Sequence, residues 1–289
     1  MIERELNYSG VKPLLYLIAT PIGNLSEFPP RAQQVLQDMD FVACEDTRNS
    51  GNLLKHFGLD KTLISCHEHN EEEASSKIVS LLLSGKKVAY MSDAGYPAVS
   101  DPGERLVKRC LKEGIKVAVV NGPSAGLCAL AASGLDSSHY YFEGFLPSKP
   151  SARDKELEEL KWRRETIVFY ESPHRIKETL QALAVAFGPR QAVLARELTK
   201  THEEYIRGSL EELSAFDEAT LIGEMVIVVE GHPVEESHPL TDEEIADLLT
   251  EKLKTMRDKE AIATVSEENA VPKNRVYAIR LAMKKEGRP

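Results

Sequence analysis

Twelve residues, Ser92 to Gly103 (SDAGYPAVSDPG), combine two aspartates, two serines, two glycines and two prolines. Proline fixes φ and removes a donor, while glycine lets backbone approach a ligand closely. Such a segment offers carbonyls, hydroxyls and carboxylates to a bound molecule. It follows an apolar run at 87–91 that reads as a buried strand, and it precedes an amphipathic helix starting near Glu104. Ligands of open α/β sheets bind outside the carboxyl ends of the strands. Four further polar clusters follow apolar runs in the same way: TPIGN (20–24), EDTR (45–48), HEHN (67–70) and NGPSA (121–125). Five clusters at successive strand ends define one rim, which is the expected site.

Several familiar chemistries are missing from that rim. No GxGxxG follows the first strand, and Ser84-Gly85-Lys86-Lys87 lacks both the earlier glycine and the hydroxyl of a phosphate-binding loop. His67, Glu68 and His69 suggest a metal, but no third ligand cluster at a known spacing joins them, so no metal is expected. No GxSxG elbow occurs. Ser124 therefore reads as a helix N-cap that meets a ligand through its backbone.

The elements that must hold these clusters alternate. Strands are expected at 14–19, 41–44, 62–66, 87–91 and 117–120, with helices between them through Val35 and Leu36, Leu53 and Leu54, Ile78 and Leu82, and from Glu104. This alternation predicts parallel βαβ units with right-handed crossovers. Beyond Gly126 a helix is expected over 129–135 and strands at 141–145, 166–170, 193–196, 205–207 and 225–229, a mixed sheet. Residues 146–153 (LPSKPSAR) read as an exposed loop before a charged helix containing Trp162. A tail from Thr241 reads as three helices, the first opened by a Thr241/Glu244 capping box and the last two arranged like a helix-turn-helix. The expected domains are 1–125 (parallel α/β), 126–235 (α/β with a mixed sheet) and 236–289 (helical, basic).

Composition agrees with a folded, water-soluble chain. The 289 residues are 42% hydrophobic and 28% charged, and no apolar run approaches the roughly 18 residues that span a bilayer. The amino terminus has no signal-peptide core, so cytoplasmic residence is expected. Cys44, Cys66, Cys110 and Cys128 form no CxxC and read as reduced thiols. A net charge of −10 argues against a whole-surface nucleic-acid binder. Residues 272–289, however, hold Lys273, Arg275, Arg280, Lys284, Lys285 and Arg288 against Glu286 alone, a local charge of +5. Phosphate contact by this segment is one reading, and simple helix C-terminal charge the other.

The ordered set ATPIGNL (19–25), CEDTR (44–48), HEHNE (67–71), SDAGYPAVSDPG (92–103), GPSAG (122–126), FEGFLPSK (142–149), YESPHR (170–175), RELTKTHEE (196–204) and GEMVIVVEG (223–231) resembles the tetrapyrrole-methylase superfamily, the class III S-adenosylmethionine-dependent methyltransferases. The motifs are most similar to the branch that modifies ribosomal RNA of the small subunit. Gly95-Tyr96-Pro97 stands where the superfamily has GDP, and Asn121 where it usually has proline. The resemblance implies two α/β domains with a cofactor cleft between them, a homodimer, and 2′-O-methylation of a cytidine ribose in 16S rRNA of the small ribosomal subunit.

Carried onto this sequence, the resemblance implies S-adenosylmethionine contacts at Pro21, Asp93, Ala94, Gly95, Tyr96, Pro97, Val99, Ser124, Ala125, Arg196, Glu197 and Leu198. Asp93 and Asp101 are carboxylates available to a sulfonium. Methyl transfer to a ribose hydroxyl needs alignment, a base and a cation near the developing alkoxide. Asp46 or Glu204 as base, with Arg48 or Lys200 as electrostatic partner, are the candidates; an interface salt bridge is the other role open to each. Arg153, Arg175, Lys273, Arg275, Arg280 and Lys284 are candidate RNA contacts, and His67, Tyr96, Tyr170 and His174 candidates to stack on a base. Two other functions compete: methylation of a corrin or porphyrin precursor, and noncatalytic RNA binding in ribosome assembly.

Overall fold

The computed structural model describes residues 6–7, 13–216, 223–233, 240–269 and 271–286. Arg288 of the basic segment lies outside them. The chain divides into two compact units, residues 1–232 and 233–289.

The first unit begins with five strands in the order β3-β2-β4-β1-β5, all parallel: β1 (Leu14–Ile18), β2 (Phe41–Cys44), β3 (Thr62–Ser65), β4 (Val88–Met91) and β5 (Lys116–Val120). The side-chain alternation of a strand sorts their residues into two cores. Leu15, Leu17, Ala43, Val88 and Tyr90 pack beneath α3 (Glu71–Leu83) and α4 (Glu104–Lys112), while Ile18, Val42, Ala89 and Met91 pack beneath α1 (Pro30–Gln37) and α2 (Thr47–His56). The central strand β4 is buried over its whole length, as expected for a strand covered on both faces. Ile18 stands beside Met91 in register, so the loops leaving β1 and β4 emerge side by side. An isolated antiparallel pairing joins them: Thr20 N–H donates to Gly95 O at 2.9 Å and Gly95 N–H to Thr20 O at 3.1 Å.

After α5 (Ala125–Ser133) comes a second sheet, ordered β6-β7-β10-β8-β9 from β6 (Tyr140–Phe145), β7 (Thr166–Glu171), β8 (Gln191–Arg196), β9 (Glu204–Ser209) and β10 (Met225–Val229). β6 and β7 run parallel and the other pairs antiparallel, the mixed sheet that the sequence predicts. Ile167, Phe169, Leu194 and Ile227 face α6 (Pro150–Leu160), α7 (Ile176–Phe187) and α8 (Leu210–Ala215); Val168, Val193, Val226 and Val228 face α5.

Three local readings are corrected. The 146–153 segment is not a loop throughout: Pro150 occupies the first turn of α6, where a missing N–H costs nothing, and Leu157 and Leu160 bury the helix. Arg153 is consequently only 8% exposed and ion-paired to Glu178 at 2.7 Å and Asp154 at 3.4 Å. Trp162 lies beyond the end of α6 and is exposed. α5 starts at Ala125, four residues earlier than expected, because Ser124 begins the helix at the motif itself.

The four cysteines are free, and burial pushes Cys66 and Cys110 up to about 12, so both remain thiols at neutral pH. No helix among the described residues is long and apolar enough to cross a membrane.

The second unit holds α9 (Asp242–Leu253), α10 (Asp258–Glu268) and α11 (Lys273–Lys285) around Ile245, Leu249, Ile262, Val265, Val276 and Met283. The Thr241/Glu244 capping box is present. Arg275 binds Asp242 at 2.7 Å, Arg280 binds Asp258 at 3.0 Å, and Lys284 also meets Asp258. Arg280 is 8% exposed, so this cation of the expected phosphate-binding face is turned into the unit.

Candidate functional site

A cavity of about 630 Å³ lies within the first unit, where the β4 loop, the start of α5 and one face of the second sheet meet. The even-numbered residues Val168, Tyr170 and Val226 point into it from β7 and β10, the face opposite to the α6–α7 core. Ala94, Gly95, Tyr96, Val99, Ser100 and Asp101 come from the β4 loop, and Ser124 to Leu127 from the first turn of α5.

Both bordering loops are unusually conformed. Ala98, Ser100, Glu197 and Thr199 have φ between +50 and +67°, a region that non-glycine residues occupy at a cost. Hydrogen bonds hold them there. Ala98 N–H donates to Pro102 O at 3.1 Å, Thr199 N–H to Glu203 Oε2 at 2.5 Å, and Lys200 N–H to Glu197 O at 3.0 Å. Two tyrosines fasten the walls: Tyr96 Oη donates to Gly122 O at 3.2 Å, and Tyr170 Oη accepts the Gly126 N–H at 3.1 Å. Two of the four rings expected to stack on a base are thus tied to the GPSAG backbone. His67, a third, has its Nδ1 buried without a partner and its ring against His69 at 6.0 Å. His174 does not line the cavity.

The cavity is apolar on most sides (Ile22, Val99, Phe142, Val168, Leu198 and Val226) and carries the carboxylates of Asp101, Glu171 and Glu224. Burial, the neighbouring Glu45 and then Asp93 and Glu224 push Asp101 up to about 7, against a hydrogen bond from Ser92 that pulls it down. Glu171 is buried and receives Thr179 Oγ1 at 2.7 Å and the Ser172 N–H at 2.8 Å. A pocket of this kind selects a ligand with an apolar body and a cationic end. S-Adenosylmethionine fits by size, by the sulfonium and ammonium that carboxylates would face, and by the backbone groups of 94–96 and 124–126.

Of the residues expected to touch the cofactor, Ala94, Gly95, Tyr96, Val99, Ser124, Ala125 and Leu198 line this cavity. Pro21 and Asp93 line a second, neighbouring one of about 400 Å³. Pro97, Arg196 and Glu197 line neither. None of Asp46, Arg48, Lys200 and Glu204 lines the large cavity. Asp46 caps α2, accepting Arg48 N–H at 2.7 Å, and its bond to the Arg48 guanidinium (2.9 Å) holds its carboxyl at about 2. Glu204 binds Arg196 at 2.5 Å, and Lys200 binds Glu197 at 3.0 Å. The Lys200 stem crosses Gly23, where a Cβ would meet Lys200 Cγ at 2.5 Å, so glycine alone permits the first loop to lie under the 196–204 loop. Arg175 spends its guanidinium on Leu146 O at 3.0 Å, Pro147 O and Glu171. Among the described residues no group of three or more His, Cys, Asp or Glu side chains is placed to hold a metal.

Glu171, Glu224 and the Tyr140/Phe142/Phe145 wall enter the cavity without having been singled out from sequence. Glu171 lies in YESPHR, and Phe142 and Phe145 lie in FEGFLPSK, motifs that carry the resemblance; Tyr140 precedes the second by two residues. Only the pairing of β6 with β7 brings them together.

The family model for tetrapyrrole (corrin/porphyrin) methylases matches residues 14–214. The chain is 45% identical over 269 residues to "Ribosomal RNA small subunit methyltransferase I" of Vibrio cholerae, covering 92% of this chain and 93% of that protein. It is 42% identical over 287 residues to the protein of the same name in Bacillus subtilis, covering 96% and 98%. Among solved structures it resembles uroporphyrin-III-C-methyltransferase of Thermus thermophilus (TM-score 0.55, 20% identity, 76% of this chain and 94% of that one). It also resembles diphthine synthase (TM-score 0.56, 15% identity, 75% and 89%). Likeness at that identity is a statement about fold.

Proposed function

This chain belongs to the tetrapyrrole (corrin/porphyrin) methylase family, and we propose that it transfers a methyl group from S-adenosylmethionine to the 2′-oxygen of a cytidine in 16S rRNA of the small ribosomal subunit. The observation that carries this reading is the end-to-end likeness to ribosomal RNA small subunit methyltransferase I proteins at 42–45% identity. The cavity supports the cofactor half: its carboxylates and apolar walls match a sulfonium-bearing nucleoside.

The cofactor would supply an electrophilic methyl carbon: the ribose 2′-oxygen bonds to it in line as the carbon–sulfur bond breaks, S-adenosylhomocysteine leaves, and the hydroxyl proton passes to water. This chain's part is to bind, orient and balance charge. Asp101, half-ionised near neutral pH when alone, becomes fully charged beside a cation and holds that end of the ligand. Tyr96 and Tyr170 fix the loop backbones that frame the adenosine side. Alignment of oxygen and methyl carbon supplies much of such a rate. Asp46, at about 2, is too weak a base to take the hydroxyl proton; it fixes Arg48, whose exposed guanidinium is the partner for a developing alkoxide. Lys200 and Glu204, each bound within the 196–204 region, shape that loop. In the second unit, Lys273 contacts phosphate.

The test is transfer of labelled methyl from S-adenosylmethionine to small subunits, naked 16S rRNA and a porphyrinoid precursor, followed by nucleoside mapping. Label in 2′-O-methylcytidine is expected. Label on a base, or on the porphyrinoid alone, would overturn the assignment of the acceptor.

A further inference from the structure

The second cavity shares a wall with the first. Along the β1 loop, Pro21 and Gly23 line the smaller cavity and Ile22 the larger; along the β4 loop, Ser92 and Asp93 line the smaller and Ala94 and Gly95 the larger. The reciprocal Thr20–Gly95 backbone pair locks these two loops together. The far wall is one face of α2, with Asn49, Asn52, Leu53 and His56 recurring at helical spacing.

The polar groups have a defined arrangement. Asn49 Nδ2 donates to Asp93 Oδ2 at 2.8 Å, and the Asp46 N–H donates to Asp93 Oδ1 at 3.3 Å. A carboxylate has about four acceptor positions, so Asp93 keeps acceptor capacity for a further donor. Ser50, also in the lining, has its hydroxyl buried against the Cys44 thiol. Leu25, Leu53 and Pro21 supply flat apolar surface. Glu45 and Asp46 flank Asp93, and burial and Asp93 together raise the Glu45 carboxyl above its usual range. A phosphate would meet these carboxylates and be repelled. A neutral heterocycle bearing an amino group would find an acceptor, two carboxamides and an imidazole. At about 400 Å³ the cavity falls near the lower end of the ~300–1,000 Å³ of small-ligand sites, suited to one nucleoside and not to a macrocycle.

We propose that this second cavity is the acceptor subsite: it takes the base and ribose of a single nucleotide turned out of its RNA, and Asp93, Asn49, Asn52 and His56 select an amino-bearing pyrimidine. The assignment rests on the methyltransferase reading above and adds the residues that choose the acceptor. A uracil carbonyl in place of the amino group would face the Asp93 carboxylate and be disfavoured. Extruding one nucleotide is the usual route to an atom hidden by stacking.

Two measurements separate this assignment from the reading it rests on. In the protein saturated with S-adenosylhomocysteine, the His56 ring proton resonances are followed during titration with cytidine, uridine and inorganic phosphate. A saturable shift with cytidine, weaker with uridine, absent with phosphate and lost in Asn52→Leu, is expected. No shift with cytidine, or one with phosphate, would overturn the subsite whatever the wild-type enzyme methylates. In the transfer assay, Asn52→Leu and His56→Ala are expected to lower kcat/KM for small subunits about 10- to 100-fold, mainly through KM, with S-adenosylmethionine Kd within twofold of wild type. An unchanged KM in both variants, or a parallel loss of cofactor affinity, would also overturn it. A wild-type enzyme that labels no RNA would remove the reading of function, while the cytidine titration still decides what the cavity binds.

Discussion

Glu71 Oε1 accepts the backbone N–H of Gly103 at 3.0 Å and that of Arg105 at 3.1 Å, so the first residue of α3 caps the helix α4. Gly103 is the α4 N-cap and has no side chain to do so. A buried carboxylate thereby satisfies orphan donors and meets the positive end of the helix dipole. The same bond pins the carboxyl end of the 92–103 loop. Glu71→Ala is expected to cost about 2–3 kcal/mol in urea-induced unfolding, since it leaves charge-assisted donors unmet, and to weaken S-adenosylmethionine binding as the loop loosens. Glu71→Gln should cost less.

Gly103 itself has φ +129°, and a Cβ there would lie 2.7 Å from Tyr90 Cε1. Tyr90 cannot yield, being fully buried with its hydroxyl donating to Cys66 O at 3.2 Å. Gly103→Ala combines a strained backbone with a clash, and a loss of at least about 1–3 kcal/mol is expected. Thermal unfolding followed by circular dichroism would show it; an unchanged Tm would mean that the loop has another conformation available.

Asp101 gives a pH dependence with a definite sign. Its folded value of about 7 lies above the ordinary aspartate value near 3.9, so the native state binds the extra proton between these limits. Its contribution therefore favours the fold at low pH and is lost as pH rises from about 4 to 7. Ligand affinity runs the other way: ionised Asp101 attracts a sulfonium, so affinity for S-adenosylmethionine should climb through pH 7. S-Adenosylhomocysteine, which lacks the sulfonium charge, should show a flatter profile. Asp101→Asn should flatten the first profile towards the second; calorimetric titrations from pH 5.5 to 8.5 would decide.

In the second unit the cations divide into two groups. Arg275, Arg280 and Lys284 are bound by Asp242 and Asp258, and Lys284 together with Arg280 holds the Asp258 carboxyl below the usual range. Lys273 and Lys285 have no ion pair among the described residues. The double substitution Lys273→Glu, Lys285→Glu should weaken RNA binding and flatten its salt dependence by a slope of about 1.4–1.8. Arg280→Ala should instead loosen the helical unit, read as faster proteolysis of α10 and α11. Equal loss of RNA affinity without altered proteolysis would reverse these roles.

Hydrophobic patterning and turn residues were enough to read the ten strands, the parallel first sheet and the mixed second one from sequence, because strand faces and polar strand ends are written locally. The Thr241/Glu244 cap and the three-helix tail are legible for the same reason. The first turn of α6 is ambiguous in sequence because Pro150 is equally suited to a loop and to a helix start; the burial of Leu157 and Leu160 against neighbouring helices decides between them. α7 is not legible from sequence, since its apolar residues gain a partner only when the second sheet forms.

The sequence by itself determined which residue types crowd the strand ends, and hence that a site lies there. Only the tertiary structure decided how they are shared out. Register between β1 and β4 places Pro21 and Asp93 on one side of a wall and Ile22 and Ala94 on the other. Neighbours in the chain thus enter different cavities because the two loops, joined by the Thr20–Gly95 pair, form the wall between them. Arg153 and Arg280 show the same limit in charge: a sequence counts cations, whereas folding sets which of them meet a carboxylate from a distant turn.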